Sequence, residues 1–201
     1  MDSQTTNAIR KRYNRMAPMF HRMESNMMKK WRQELLLPVS GKVLEVGIGA
    51  GANLPFYPEG IELTGIDFSP NMLKYAELRA HELQREVALL EMDAQQMQFE
   101  DNTFDFAVAT CVFCSVPDPV AGMKEMLRVC KPAGTILLLE HMRSENPFVG
   151  KIMDLVNPLT VRLTGANINR KTLDNIARAG LRLEKNEQLL SSIVRRLTLR
   201  P

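Results

Sequence analysis

Five apolar runs of five or six residues, each bounded by turn residues and interleaved with segments of helical period, restrict this chain to an α/β architecture. They occupy Lys42–Val46, 61–66, 87–92, 104–109 and 135–140, and each reads as a buried strand. Helical patterns fill the gaps, with a short one after Gly51 and longer ones over 70–83 and 119–130. Pro70 follows Ser69 and Pro119 follows Asp118, so both longer helices open with an N-cap and a proline at the first helical position. The sequence Lys131, Pro132, Ala133, Gly134 predicts a stop before the fifth strand.

The last third is less regular. Pro147, Gly150, Pro158 and Gly165 surround the apolar stretch 152–163, which predicts an insertion over 144–169 carrying one broken helix. A helix over 171–179 ends at Gly180, and 181–190 and 192–199 read as two strands that pair as a hairpin. Residues before 40 form two helical segments, broken near Ala17 and Pro18. Seven strands with intervening helices predict a doubly wound, Rossmann-like sheet preceded by lid helices, in one domain.

The chemistry is expected where the first strand ends. Val43-Leu44-Glu45-Val46-Gly47-Ile48-Gly49-Ala50-Gly51 sets three glycines directly after a buried strand. Glycines there permit a tight turn and let a ligand approach the backbone. Sixteen residues beyond Gly51, at the tip of the second strand, Asp67 can accept hydrogen bonds from both hydroxyls of a ribose. This spacing serves a dinucleotide as well as other nucleoside ligands. Glu45 ahead of the glycines, and a third glycine one position early for a dinucleotide fold, argue against nicotinamide cofactors.

Glu45-Val46-Gly47-Ile48-Gly49-Ala50-Gly51 matches every fixed position of the E/D-x-G-x-G-x-G signature, and on it the chain resembles the class I S-adenosylmethionine-dependent methyltransferases. The resemblance implies S-adenosyl-L-methionine as cofactor. It assigns Glu45, Gly47, Gly49, Gly51, Asp67 and Phe68 to cofactor binding, with Asp93 and Ala94 meeting the adenine. Thr110 and Cys111, in the loop after the fourth strand, fall at the methionine end, and Asp105 takes a structural role. Arg12-Tyr13-Asn14-Arg15-Met16-Ala17-Pro18-Met19-Phe20-His21 is similar to the R-Y-D-x-x-A-x-x-Y-D opening of the methyltransferase type 11 group, with Phe20 and His21 replacing its later tyrosine and aspartate. In that group the opening folds over the cofactor, and the resemblance makes Tyr13 a candidate active-site residue. His141, just beyond the fifth strand, is the second: it can act as base, orient the acceptor or serve the fold.

The resemblance is strongest to small bacterial phospholipid N-methyltransferases. It implies methylation of phosphatidylethanolamine and its monomethyl and dimethyl derivatives toward phosphatidylcholine at a membrane surface. A thiol or quinone methyltransferase and a non-catalytic cofactor-binding module are the competing readings. No nucleic-acid substrate is expected, because Thr110-Cys111-Val112-Phe113 lacks the proline-bent aromatic motif that methylates base amines.

Charge bears on the acceptor. Residues 1–34 carry eight basic and three acidic side chains, and residues 141–201 carry eleven and five, around a middle with seven and fifteen. Solvated helix faces account for such runs, and so does attraction to an anionic surface. Arg10, Lys11, Arg15, Arg22, Lys29, Lys30 and Arg32 interleave with Met16, Met19, Phe20, Met23, Met27, Met28 and Trp31. Residues 1–40 are therefore read as a lid, a membrane-contact segment or both, ahead of the methyltransferase domain 41–201. Cys111, Cys114 and Cys130 make neither an even disulfide framework nor a zinc site, so no metal is expected and the setting is reducing. With no apolar leader or spanning run, the expected location is cytoplasmic, peripheral on the inner face of the membrane.

Overall fold

The computed structural model describes residues 3–22 and 26–201. Its core is a seven-stranded sheet made of β1 (Lys42–Val46), β2 (Glu62–Asp67), β3 (Ala88–Glu91), β4 (Phe104–Thr110), β5 (Cys130–His141), β6 (Arg182–Leu190) and β7 (Val194–Arg200). The strand order is β3-β2-β1-β4-β5-β7-β6. The first five strands run parallel, and β7 pairs antiparallel with both β5 and β6. The helices are α1 (Ser3–Arg22), α2 (Asn26–Leu36), α3 (Pro70–Glu82), α4 (Pro119–Val129), α5 (Pro147–Thr164) and α6 (Thr172–Ala179).

Strand alternation divides the core between two faces. Leu44, Val46, Ile136 and Leu138 pack with Met123, Met126 and Ile176 of α4 and α6. Their neighbours Val43, Leu137 and Leu139 face the other way, onto Trp31, Leu35 and Leu36 of α2. The helix starts follow the sequence pattern. Ser69 Oγ accepts from the Met72 amide, and Asp118 accepts from the amides of Val120 and Ala121, caps worth about 1 kcal/mol each. Gly165 and Gly180 close α5 and α6 in left-handed conformations.

Four expectations are corrected. α1 runs straight through Pro18. Proline withholds the amide that would bond to the Asn14 carbonyl, and that carbonyl accepts instead from Asn71 Nδ2 of α3 at 3.1 Å. α5 is likewise one helix through Pro158, not a broken one. The short helix after Gly51 is a single 3₁₀ turn, Leu54–Phe56. Residues 131–134 do not precede β5 but interrupt its register: Cys130 pairs with Phe104, and Thr135 with Phe106.

The basic C-terminal end is the last strand, and its arginines are occupied. Arg195 pairs with Glu145, Arg196 with Glu34 and Glu187, and Arg200 with Glu184. Asn71→Ala is expected to destabilise the protein by about 1 kcal/mol in urea unfolding, the net worth of a hydrogen bond. In a Pro18→Ala background, where residue 18 supplies its own amide, the same change costs less. Equal costs in the two backgrounds would show that Asn71 does not serve the carbonyl.

Candidate active site

The sheet reverses its winding between β1 and β4, and ligands of open α/β sheets bind outside the strand ends at that point. A cavity of about 320 Å³ opens there, within the usual size of small-molecule sites. Its floor is the glycine turn. Gly47, Gly49 and Gly51 all have positive φ, at 67°, 56° and 79°. They do different things. A side chain at Gly47 would stand 2.6 Å from Val112 Cγ2 in the loop after β4, and one at Gly51 would stand 2.7 Å from Leu54 Cδ1. Only Gly49 is open, with nothing closer to its missing Cβ than the Gly47 carbonyl at 4.0 Å. The backbone is bare toward the cavity at that position.

Asp67 locks the turn to the tip of β2. Its carboxylate accepts from the Gly49 amide at 3.0 Å and the Ser69 amide at 2.8 Å, one on each oxygen. Each oxygen keeps lone-pair capacity for a further donor. Glu45, one strand over and 2% exposed, accepts from Asn53 Nδ2 at 2.8 Å. The same amide group donates to Thr110 Oγ1, and Arg32 of α2 donates to Asn53 Oδ1 at 2.6 Å. Arg32 was noted in the sequence only as a cation of the basic opening segment, and Asn53 was not singled out, although it stands only two residues after the glycine turn.

The loop after β4 is held by a neighbour of an expected residue. Glu140, fully buried at the end of β5, accepts from the amides of Val112 and Phe113 at 2.9 and 3.1 Å. Its other oxygen has no hydrogen-bond partner. His141 does not line the cavity, and burial holds its imidazole below the usual pKa. Cys111 takes a left-handed backbone with φ 56° and lines the cavity beside Thr110. Burial raises its thiol to about 12 and the Cys114 thiol higher still. Both stay protonated and inert at neutral pH.

Helix α1 roofs the cavity. Asn14 Oδ1 accepts from Ser69 Oγ at 2.6 Å, and Ala17 is buried against Ala50 and Met72. The Tyr13 hydroxyl shares a hydrogen bond with the Ser115 hydroxyl, and its ring tilts against Phe68 at 5.8 Å between centroids. Burial raises the Tyr13 pKa well above the ordinary phenol value, so it enters the site as a neutral hydroxyl. Asp93 and Ala94 line the far wall, where the Asp93 carboxylate is already paired with the Gln95 side chain at 2.9 and 3.0 Å. Gly51 lies behind the lining, against Leu54 and Ala76. The side chains of Phe20 and His21, and Met23, lie outside the described residues.

Two buried carboxyls, Glu45 and Asp67, thus line the cavity, and a third, Glu140, holds the loop that forms part of its wall. Burial raises Glu45 and Glu140 to about 7 and Asp67 to about 6. A carboxyl whose pKa is higher folded than unfolded binds its proton more tightly in the fold. That stability is fully present below the unfolded value and is lost as pH rises through the folded one. The ligand-free protein should therefore lose thermal stability from about pH 4.5 to 7. Glu140→Gln keeps an oxygen for the Val112 and Phe113 amides but cannot ionise, so its melting temperature should fall less steeply over that range. An unchanged slope would mean that Glu140 is ionised throughout.

Residues 44–138 match the family model described as a methyltransferase domain. A phosphatidylethanolamine N-methyltransferase of Cereibacter sphaeroides is 41% identical over 110 residues, covering 53% of this chain and 54% of that protein. The human thiol S-methyltransferase TMT1A is 35% identical over 151 residues, covering 70% and 60%. A demethylmenaquinone methyltransferase of Bacillus licheniformis is 35% identical over 125 residues, covering 58% and 53%. The chain spans between about half and three fifths of the length of these relatives. Among solved structures, the methyltransferase complexed with the Trm112 activator of Haloferax volcanii superposes with a TM-score of 0.75 at 18% identity, covering 96% of both chains. That likeness is one of fold. The glycine turn, the Asp67 lock and the loop after β4 all fall inside the matched segment, and Glu140, which holds that loop, lies two residues beyond it.

Proposed function

We propose that the chain is an S-adenosylmethionine-dependent methyltransferase whose acceptor is the amine of phosphatidylethanolamine and its partly methylated derivatives. One observation carries the cofactor reading: the backbone at Gly49 is bare toward the cavity beside a buried carboxylate with unused acceptor capacity. The bound cofactor supplies an activated methyl group for in-line displacement. Asp67 would hold the ribose hydroxyls, and the wall at Asp93 and Ala94 the adenine. Thr110, Cys111 and the Tyr13–Ser115 pair would enclose the methionine end. The roof formed by α1 excludes water from that end.

Tyr13 orients the acceptor rather than deprotonating it, because burial keeps its hydroxyl neutral. His141 stands outside the lining, so no role in proton transfer is assigned to it. The lipid acceptor is supported by the relative from Cereibacter sphaeroides and by exposed cations of α1, Lys11 and Arg15, on the roof. A cytoplasmic protein bound peripherally at the inner face of a membrane follows from that reading. The roof is no free amphipathic segment, however. Ile9, Ala17 and Trp31 are buried, and Met28 and Arg32 line the cavity, while Met19 and Met27 stay exposed.

A thiol acceptor is the second reading, supported by the human relative and by the neutral state of Tyr13. A thiol ionises nearer neutrality than an alkylammonium and needs less help in losing its proton. Labelled S-adenosylmethionine offered in parallel with phosphatidylethanolamine, alkyl thiols and demethylated quinones separates the readings. Label is expected in the lipid, and label in thiols alone would overturn that assignment. Asp67→Ala is expected to weaken S-adenosylhomocysteine binding by about 1.5–3 kcal/mol in calorimetric titration. Unchanged affinity would remove Asp67 from the cofactor site.

A further inference from the structure

Helix α5 is built inside out. Six of the fourteen exposed large apolar side chains among the described residues lie on its eighteen residues. Phe148 is 73% exposed, Leu155 81%, Leu159 57% and Leu163 65%, and Ile152 and Val156 are exposed with them. Their spacing of four, three, one, three and four residues draws a single stripe along the helix. The packed side carries one large apolar side chain, Met153, among small and polar groups. Gly150 admits the Arg143 guanidinium, Asn157 bonds with Asn167 and with the Ile168 amide, and the Val161 carbonyl accepts from Arg12 of α1. A surface helix of a water-soluble fold normally turns its apolar stripe to the core. Here three sets of polar contacts hold the stripe outward.

Charge identifies what covers it. Lys151 and Arg162 are exposed on one flank of the stripe, three turns apart. The one acidic residue of α5, Asp154, is held by Arg143 at 2.9 and 3.0 Å and by Asn169 at 3.0 Å. A second copy of this chain fits poorly. Antiparallel pairing of two α5 stripes along the cationic flank brings Lys151 of one copy toward Arg162 of the other. An anionic lipid surface satisfies both features, since apolar side chains enter the acyl boundary while flanking cations reach the phosphates.

We propose that α5 is a membrane-docking helix that lies in the headgroup layer of an anionic bilayer. It meets Arg12 and Tyr13 of α1 near Gly165, and the segment just after it bonds to the Cys114 carbonyl. Docking there would set the cavity roof against the bilayer; that use of the site rests on the lipid-acceptor reading.

The test is flotation of the full chain with vesicles of equal parts phosphatidylglycerol and phosphatidylcholine. The wild type is expected to float. Leu155→Glu with Leu159→Glu should lower vesicle affinity by about tenfold or more. Lys151→Ala and Arg162→Ala should each lower it by about fivefold and weaken its salt dependence. All these positions are exposed, and unchanged circular dichroism checks the fold. Unaltered flotation of the double glutamate variant would overturn the proposal. So would a wild type that does not float but sediments as a dimer dissolved by the same substitutions. Methylation of phosphatidylethanolamine dispersed in detergent separates the two claims. If it fails while flotation depends on α5, the acceptor reading falls and the docking helix stands; if it succeeds while flotation ignores α5, the reverse holds.

Discussion

The site depends on one buried carboxylate. Asp67 ties the glycine turn after β1 to the tip of β2 by accepting from Gly49 and Ser69. Ser69 in turn caps α3 and donates to Asn14 of α1. One residue thereby fixes the floor of the cavity, the start of the helix beside it and the roof above it. The cost is visible in its own chemistry, since burial raises the Asp67 pKa to about 6 even with two amide donors. A group held at such cost for stability alone would be better replaced by an apolar one. Its remaining acceptor capacity toward the cavity gives that cost a purpose.

Glu45 and Glu140 repeat the pattern. Each is buried, each is raised to about 7, and each spends one oxygen on positioning a loop or side chain. Glu45 organises Asn53, Thr110 and Arg32, which joins α2 to the wall, and Glu140 organises the loop that passes against Gly47. The two buried carboxyls that line the cavity, Glu45 and Asp67, favour a ligand that brings hydrogen-bond donors or positive charge.

Much of this was legible in the sequence because it depends on local rules. The five parallel strands follow from apolar runs, the starts of α3 and α4 from Ser69-Pro70 and Asp118-Pro119, and the end of α6 from Gly180. The failures share a cause. Pro18 breaks a helix by local rules and is tolerated because Asn71, 53 residues away, replaces the missing donor. Asn53 and Glu140 look like ordinary polar residues until the fold brings Thr110 and the Val112 amide beside them. His141 drew notice as the titratable residue near the strand end, yet its neighbour Glu140 does the positioning, because alternation along β5 turns adjacent side chains to opposite faces. The apolar stretch of α5 reads as a helix with no direction given to its face, since periodicity marks a face without saying which way it points.

The central claim is that the Asp67-locked glycine turn is the cofactor site and that the Tyr13–Ser115 pair faces the reacting end. A crystal structure with S-adenosylhomocysteine tests it most directly. The ribose hydroxyls are predicted on the Asp67 carboxylate, with the chain passing over Gly49 and the sulfur directed toward Tyr13 and Ser115. A ribose bound away from Asp67, or a sulfur turned from Tyr13, would contradict the account.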